Sequence, residues 1–208
     1  MILYYFLALF CVLPALASIV FWKNVRENSL PFVYTIWLAV FVELIAIYAR
    51  QNHLYTLQAI DYNIFIMTNI ALFLWFFYLN HSFEKKICYL LFLVIFVCFF
   101  IEYLYNRKLL VFYKSSLFAN AIIVVGCTKM MTTIIFSVKG SLLKSFVFII
   151  LVASIVMYSF SILQVLTGLI IPLSIRLTIK LSEITFFWIN ALSYLIIFYG
   201  FLCLKLKK

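Results

Sequence analysis

Five side chains stand where the surrounding sequence is almost wholly apolar: Glu43, Asn69, Lys129, Gln164 and Asn190. Their types limit what they can do there. A carboxyl group inside hydrocarbon must be protonated, paired or hydrated. Glu43 is therefore the sharpest candidate for a binding or proton-linked role. Asn and Gln side chains either join helices by hydrogen bonds worth about 1 kcal/mol or less, or line a polar cavity. A lysine at depth either snorkels toward a surface or serves as a charge site along a path. For Lys129 both readings stand.

No established catalytic pattern accompanies these groups. His53 and His81 fall in loops on opposite sides, and no HExxH, GxSxG or phosphate-binding loop occurs. Cys11, Cys88, Cys98, Cys127 and Cys203 all lie within apolar runs, with no CxxC pair. Metal binding and a disulfide framework are not expected, and neither is a cofactor. An enzyme acting on lipid would need clustered His and Asp near one face, or a metal site, so no enzymatic activity is expected.

The elements that must hold the five residues follow from composition. The chain has 208 residues, is 68% hydrophobic, and contains 24 Phe and 14 Tyr. Its mean hydropathy is +1.22. A bilayer core needs about 20 mostly apolar residues per helix. Seven such stretches use up nearly the whole chain. They run about Ile2 to Trp22, Leu30 to Tyr48, Ala59 to Leu79, Ile87 to Tyr105, Ser115 to Val138, Ser145 to Ile171 and Leu181 to Leu204. The expected fold is all-α: a polytopic membrane protein, one seven-helix transmembrane domain over 1–208 with no soluble domain. Pro14 is expected to kink the first helix. That helix is expected to be retained, because no Lys or Arg precedes it as in a cleaved signal. Arg50, Gln51, Asn52 and His53 read as a polar loop. The stretch from Leu109 to Phe118 reads either as an interfacial segment or as the start of the fifth helix. No internal repeat is visible.

The formal charge of +10 is scattered in ones to threes between apolar runs, as in loops that orient a membrane protein. Nucleic-acid binding is not expected, because no basic face with interleaved aromatics exists outside the membrane. Nine Lys and Arg fall on the side of the C-terminal tail and six on the other, with Lys129 inside a helix. That bias predicts an external N-terminus and a cytoplasmic C-terminus. In this orientation Glu43 lies about 10 Å below the external surface at ~1.5 Å per residue. Asn69, Gln164 and Asn190 also fall in the outer half, with Asn120, Glu102 and Glu183 nearer the surface. Such a set could line a cavity open to the outside. Glu102 and Glu183 are expected to be solvated at the interface.

Three short motifs carry a resemblance. Glu43-Leu44-Ile45-Ala46-Ile47-Tyr48 ends the second helix, Asp61-Tyr62-Asn63-Ile64-Phe65 opens the third, and Phe187-Trp188-Ile189 with Tyr194 marks the last. Together they resemble small uncharacterised seven-helix inner-membrane proteins of Bacteroidota, some of which are fused to histidine kinases. Ala46 stands where Gly is usual in that group, and Asn69 near where a Glu is often found. The resemblance implies a sensor-like membrane module. The expected function is an integral membrane sensor-like or accessory module. It would bind a small ligand or membrane partner through the outer-half polar pocket and act through a membrane or cytoplasmic protein partner or a homo-oligomer. A small transporter or oligomeric channel is the alternative.

Overall fold

With no water in a bilayer core, each backbone N–H and C=O must be satisfied within its own helix. The computed structural model of this chain, which describes residues 2–105, 113–137, 142–170 and 176–205, is accordingly all-α. Its helices are α1 (Ile2–Val20), α2 (Leu30–Gln51), α3 (Tyr55–Leu79), α4 (Lys85–Tyr105), α5 (Tyr113–Ser137), α6 (Phe146–Ile170) and α7 (Arg176–Lys205). Among the described residues, α2 to α7 are each long and apolar enough to cross a membrane, and α1 is a shorter apolar helix.

Several boundaries differ from the sequence expectation. The second helix continues through Arg50 and Gln51, which the sequence assigned to a loop. The third begins at Tyr55 rather than Ala59, so only three residues join them. α7 begins at Arg176, five residues early. In each case polar residues extend a helix beyond its apolar stretch, because helical hydrogen bonding does not stop where hydropathy falls. Pro14 lies within α1. Leu109 to Phe112, the first part of the ambiguous stretch, lie outside the described residues, and the rest belongs to α5.

Two tight connections use the same device. α2 and α3 each end in an Asn cap, Asn52 and Asn80, followed by a histidine with positive φ (57° at His53, 56° at His81). The next N–H then reaches back to the last turn, Leu54 to Ala49 O at 2.7 Å and Ser82 to Phe77 O at 2.9 Å. This closes both helices in the Schellman manner, with histidine where glycine is usual. At the second of these ends, Asn80 and Asn28 exchange hydrogen bonds of 2.8 and 3.0 Å, tying the α1–α2 connection to the α3–α4 turn.

Six helices form a closed ring in which α1 packs on α2, α2 on α3, α3 on α5, α5 on α6, α6 on α7 and α7 on α1. α4 packs against α3 and α5 outside the ring, burying only Ile95, Phe99 and Glu102. The neighbour relations repeat: α1–α2–α3 and α5–α6–α7 are arranged alike, and α3 on α5 matches α7 on α1. Counted from the bundle end that holds the Asn28–Asn80 bonds, three buried or half-buried positions correspond to within one residue. These are Cys11 with Cys127, Glu43 with Tyr158, and Asn69 with Tyr194. The sequence hides this repeat because the corresponding side chains differ.

The core between the halves is aromatic. Phe73 packs edge-on against Tyr158 at 5.3 Å and against Phe32 at 6.1 Å, with Phe76 and Phe77 beside it. Gly126 on α5 lets the Phe77 ring lie directly on the helix backbone, where an added Cβ would collide with it. Gly126→Ala should therefore destabilise the bundle by about 1–3 kcal/mol through overpacking. Gly200→Ala, whose Cβ would meet Ile149 at 3.2 Å, should cost less; thermal unfolding in detergent compares the two.

Candidate functional site

The α2–α3 hairpin brings Glu43 to the level of Asp61, Tyr62 and Asn63, because antiparallel neighbours joined by a three-residue turn pair off in sequence order. Asp61 is 8% exposed and Glu43 half-buried. The two carboxylates act on each other electrostatically, and the Arg50 guanidinium acts on Glu43 with the opposite sign. Arg50 points back along its helix: Nη2 donates to the Tyr62 hydroxyl at 3.0 Å. With the Gln58 amide oriented to offer its oxygen, that oxygen accepts from Nη2 at 2.8 Å and Nε at 2.9 Å. Glu43 Oε2 and Asp61 Oδ2 are both buried and accept no hydrogen bond. A buried polar atom without a partner costs about 1–3 kcal/mol, more when charged, so these two oxygens are a costly point in the bundle.

Deeper in the bundle, Glu43 acts electrostatically on Cys11 of α1 and Tyr194 of α7, which are themselves neighbours. Tyr194 in turn feels Tyr158 of α6. Asn69, 2% exposed, donates through Nδ2 to the Tyr158 hydroxyl at 2.7 Å, leaving its buried Oδ1 without a partner. A chain of polar groups thus runs from Asp61 through Glu43 and the two tyrosines to Asn69. It draws on α1, α2, α3, α6 and α7.

The other residues singled out from sequence lie apart from this chain or join it only at its edge. Asn190 is buried one turn from Tyr194, and its Nδ2 donates to Phe186 O at 2.8 Å within its own helix. Gln164 is half-buried on α6. Lys129 is exposed on α5, with Nζ 4.9 Å from the centre of the Phe83 ring in the α3–α4 connection. It reaches toward that end of the bundle as a snorkelling lysine does, at a cation–π distance. Asn120 donates to Ser161 Oγ at 2.9 Å and so joins α5 to α6.

Glu102 is a correction to the sequence expectation of interfacial solvation. It is 7% exposed and accepts from the backbone N–H groups of Lys114 and Ser115, at 3.1 and 2.9 Å, and from the Ser115 hydroxyl at 2.6 Å. A carboxylate on the free N–H groups of a helix start is a cap from outside the helix. It pins α5 to α4, although an open groove of about 440 Å³ runs beside it. The Glu183 side chain lies outside the described residues.

Sequence reasoning missed Arg50, Gln58 and Asp61 as members of the site. By hydropathy Arg50 reads as a loop residue, Gln58 precedes the third apolar stretch, and Asp61 enters only through the motif that opens the third helix. The available signal was spacing: Arg50 lies seven residues after Glu43, two helical turns along one face. Among the described residues no group of three or more His, Cys, Asp or Glu could hold a metal ion. Glu102→Ala should lower stability by about 1–2 kcal/mol by freeing the α5 start, while Lys129→Met should leave it within about 0.5 kcal/mol of wild type; thermal melts of the purified chain measure both. No family model matches this chain, and no curated protein or solved structure matches it either.

Proposed function

We propose that this chain is an integral membrane sensor-like or accessory module. It binds a small ligand or membrane partner through a polar pocket in the outer half of the bundle and acts through a partner protein. The observation that carries the reading is the pair of buried carboxylate oxygens, Glu43 Oε2 and Asp61 Oδ2, that accept no hydrogen bond. Intramembrane ionisable groups are costly and mark binding or conduction sites. The charge bias favours an external α2–α3 turn and a cytoplasmic C-terminus, and the resemblance implies a bacterial inner membrane. A ligand entering beside that turn meets Arg50 and Asp61 first and Glu43 next. The groups behind Glu43, Cys11 on α1 and Tyr194 on α7, couple the pocket to helices that reach the opposite side. A shift in their packing is a signal that a partner can read. The resemblance to sensor-like modules leans the same way.

A second reading, a small transporter or oligomeric channel, is favoured by the repeated packing of α1–α3 and α5–α7. Parallel repeats related about an axis along the membrane normal occur in transporters, with substrate sites at the repeat interface.

Two measurements test these readings. With the native cysteines replaced by alanine, Asp61→Cys and Glu43→Cys should react with a membrane-impermeant thiol reagent added outside whole cells. Reaction only from the cytoplasmic side, or none, rejects the outer pocket. Purification from native membranes in gentle detergent should then yield a stoichiometric protein partner. A homo-oligomer without partner, conducting solute in liposomes, would replace the sensor reading with the transporter one.

A further inference from the structure

We propose that Glu43 and Asp61 together form a site for one monovalent cation, a proton or an alkali ion, held between α2 and α3. The inference rests on the outer-pocket reading only for the route by which the ion arrives.

The charge balance leads to it. The groups facing Glu43 are Cys11 from α1, Asp61 from α3, Tyr194 from α7 and Arg50 from its own helix. Tyr62 of α3 meets Arg50 through its hydroxyl. The thiol and the two phenols are neutral, so two carboxylates face one guanidinium. If both acids are ionised, the set carries one uncompensated negative charge inside a membrane span. Burying such a charge costs several kcal/mol. One positive charge restores neutrality, whereas a divalent ion would leave an excess positive charge in its place.

The hydrogen-bond pattern supplies the second observation. Asp61 is more than nine-tenths buried and its Oδ2 has no partner, and Glu43 Oε2 is likewise buried and without one. An acidic hydrogen shared between two such oxygens, or an alkali ion between them, would satisfy both at once. Carboxylate oxygens are hard donors suited to either. Arg50 donates to Tyr62 through Nη2, while these two carboxylate oxygens accept no hydrogen bond. The pair also sits asymmetrically in the repeat: Tyr158 stands where Glu43 does in the other half, so only one half carries the charge.

Thermal unfolding of the purified full chain tests this. The buffer is choline chloride from mildly acid to mildly alkaline pH. At the alkaline end sodium or potassium chloride then replaces choline at constant ionic strength. A bound proton means the native state holds more protons than the unfolded state, so stability must fall as pH rises. The midpoint should drop by about 3–5 °C per pH unit through the titration. If the ion is an alkali cation, the midpoint instead rises with sodium or potassium at alkaline pH. Glu43→Gln, which fixes the neutral form, and Asp61→Asn should each flatten the responsive arm while remaining folded. A wild-type midpoint indifferent to both variables overturns the proposal, as does a dependence that persists unchanged in both variants. A cation response without labelling from outside would reject the outer route and leave the ion site standing.

Discussion

Low dielectric surroundings govern everything about this molecule. Backbone groups find no partner in hydrocarbon except within a helix, and side-chain charge finds none except another polar group. The first condition makes the chain helical. The second draws Glu43, Asp61, Arg50, Tyr194, Tyr158 and Asn69 toward one another from five helices, counting the Cys11 neighbour on α1. Apolar faces can be turned to lipid at no cost, as α4 does with most of its length. Polar groups cannot, so they determine which helices face inward. The aromatic packing of Phe32, Phe73, Phe76 and Phe77 then fills the space between them.

The sequence makes the helices legible because a run of about 20 apolar residues has few alternatives. Glu43 and Asn69 are legible for the same reason: each interrupts such a run. The pairing of those residues is another matter. Hydropathy places Arg50 outside a span, yet α2 continues through it and its side chain reaches Tyr62 on α3. Asn69 has its partner 89 residues away in Tyr158, and nothing local in the sequence announces a tyrosine as that partner. Glu102 illustrates the opposite error. Its position near a span end suggests water, but the start of α5 supplies three donors and removes the need for it. Hydropathy measures the cost of leaving a group alone in lipid; it carries no information about which neighbour relieves that cost.

The repeat shows how far packing can recur within a chain while chemistry does not. Cys11 and Cys127 are both fully buried at corresponding positions on α1 and α5. Their neighbours on the middle helices are unlike: a carboxylate in one half and a phenol in the other. The central helices α2 and α6 each lie between two neighbours in the ring, so a residue on their inner face sees both halves. A carboxylate there can hold a mobile ion, while a tyrosine held by Asn69 at 2.7 Å is fixed. The two halves therefore present different chemistry on one scaffold.

That asymmetry places the ionisable group of the core in the first half alone, at Glu43, where Tyr158 stands in the second. Any event that changes the charge on Glu43 is felt by Arg50 and Asp61 beside it and also by Cys11 and Tyr194, which belong to α1 and α7. These two helices form one of the two contacts between the halves; α3 against α5 forms the other. At that second contact Gly126 lets Phe77 lie on the α5 backbone, and so tight a fit resists sliding. The α1–α7 contact carries small buried side chains on α1, among them Cys11, Ala15 and Ala17. In both the sensor and the transporter reading, the charge state of one carboxylate would be felt across that contact, by Cys11 on α1 and Tyr194 on α7.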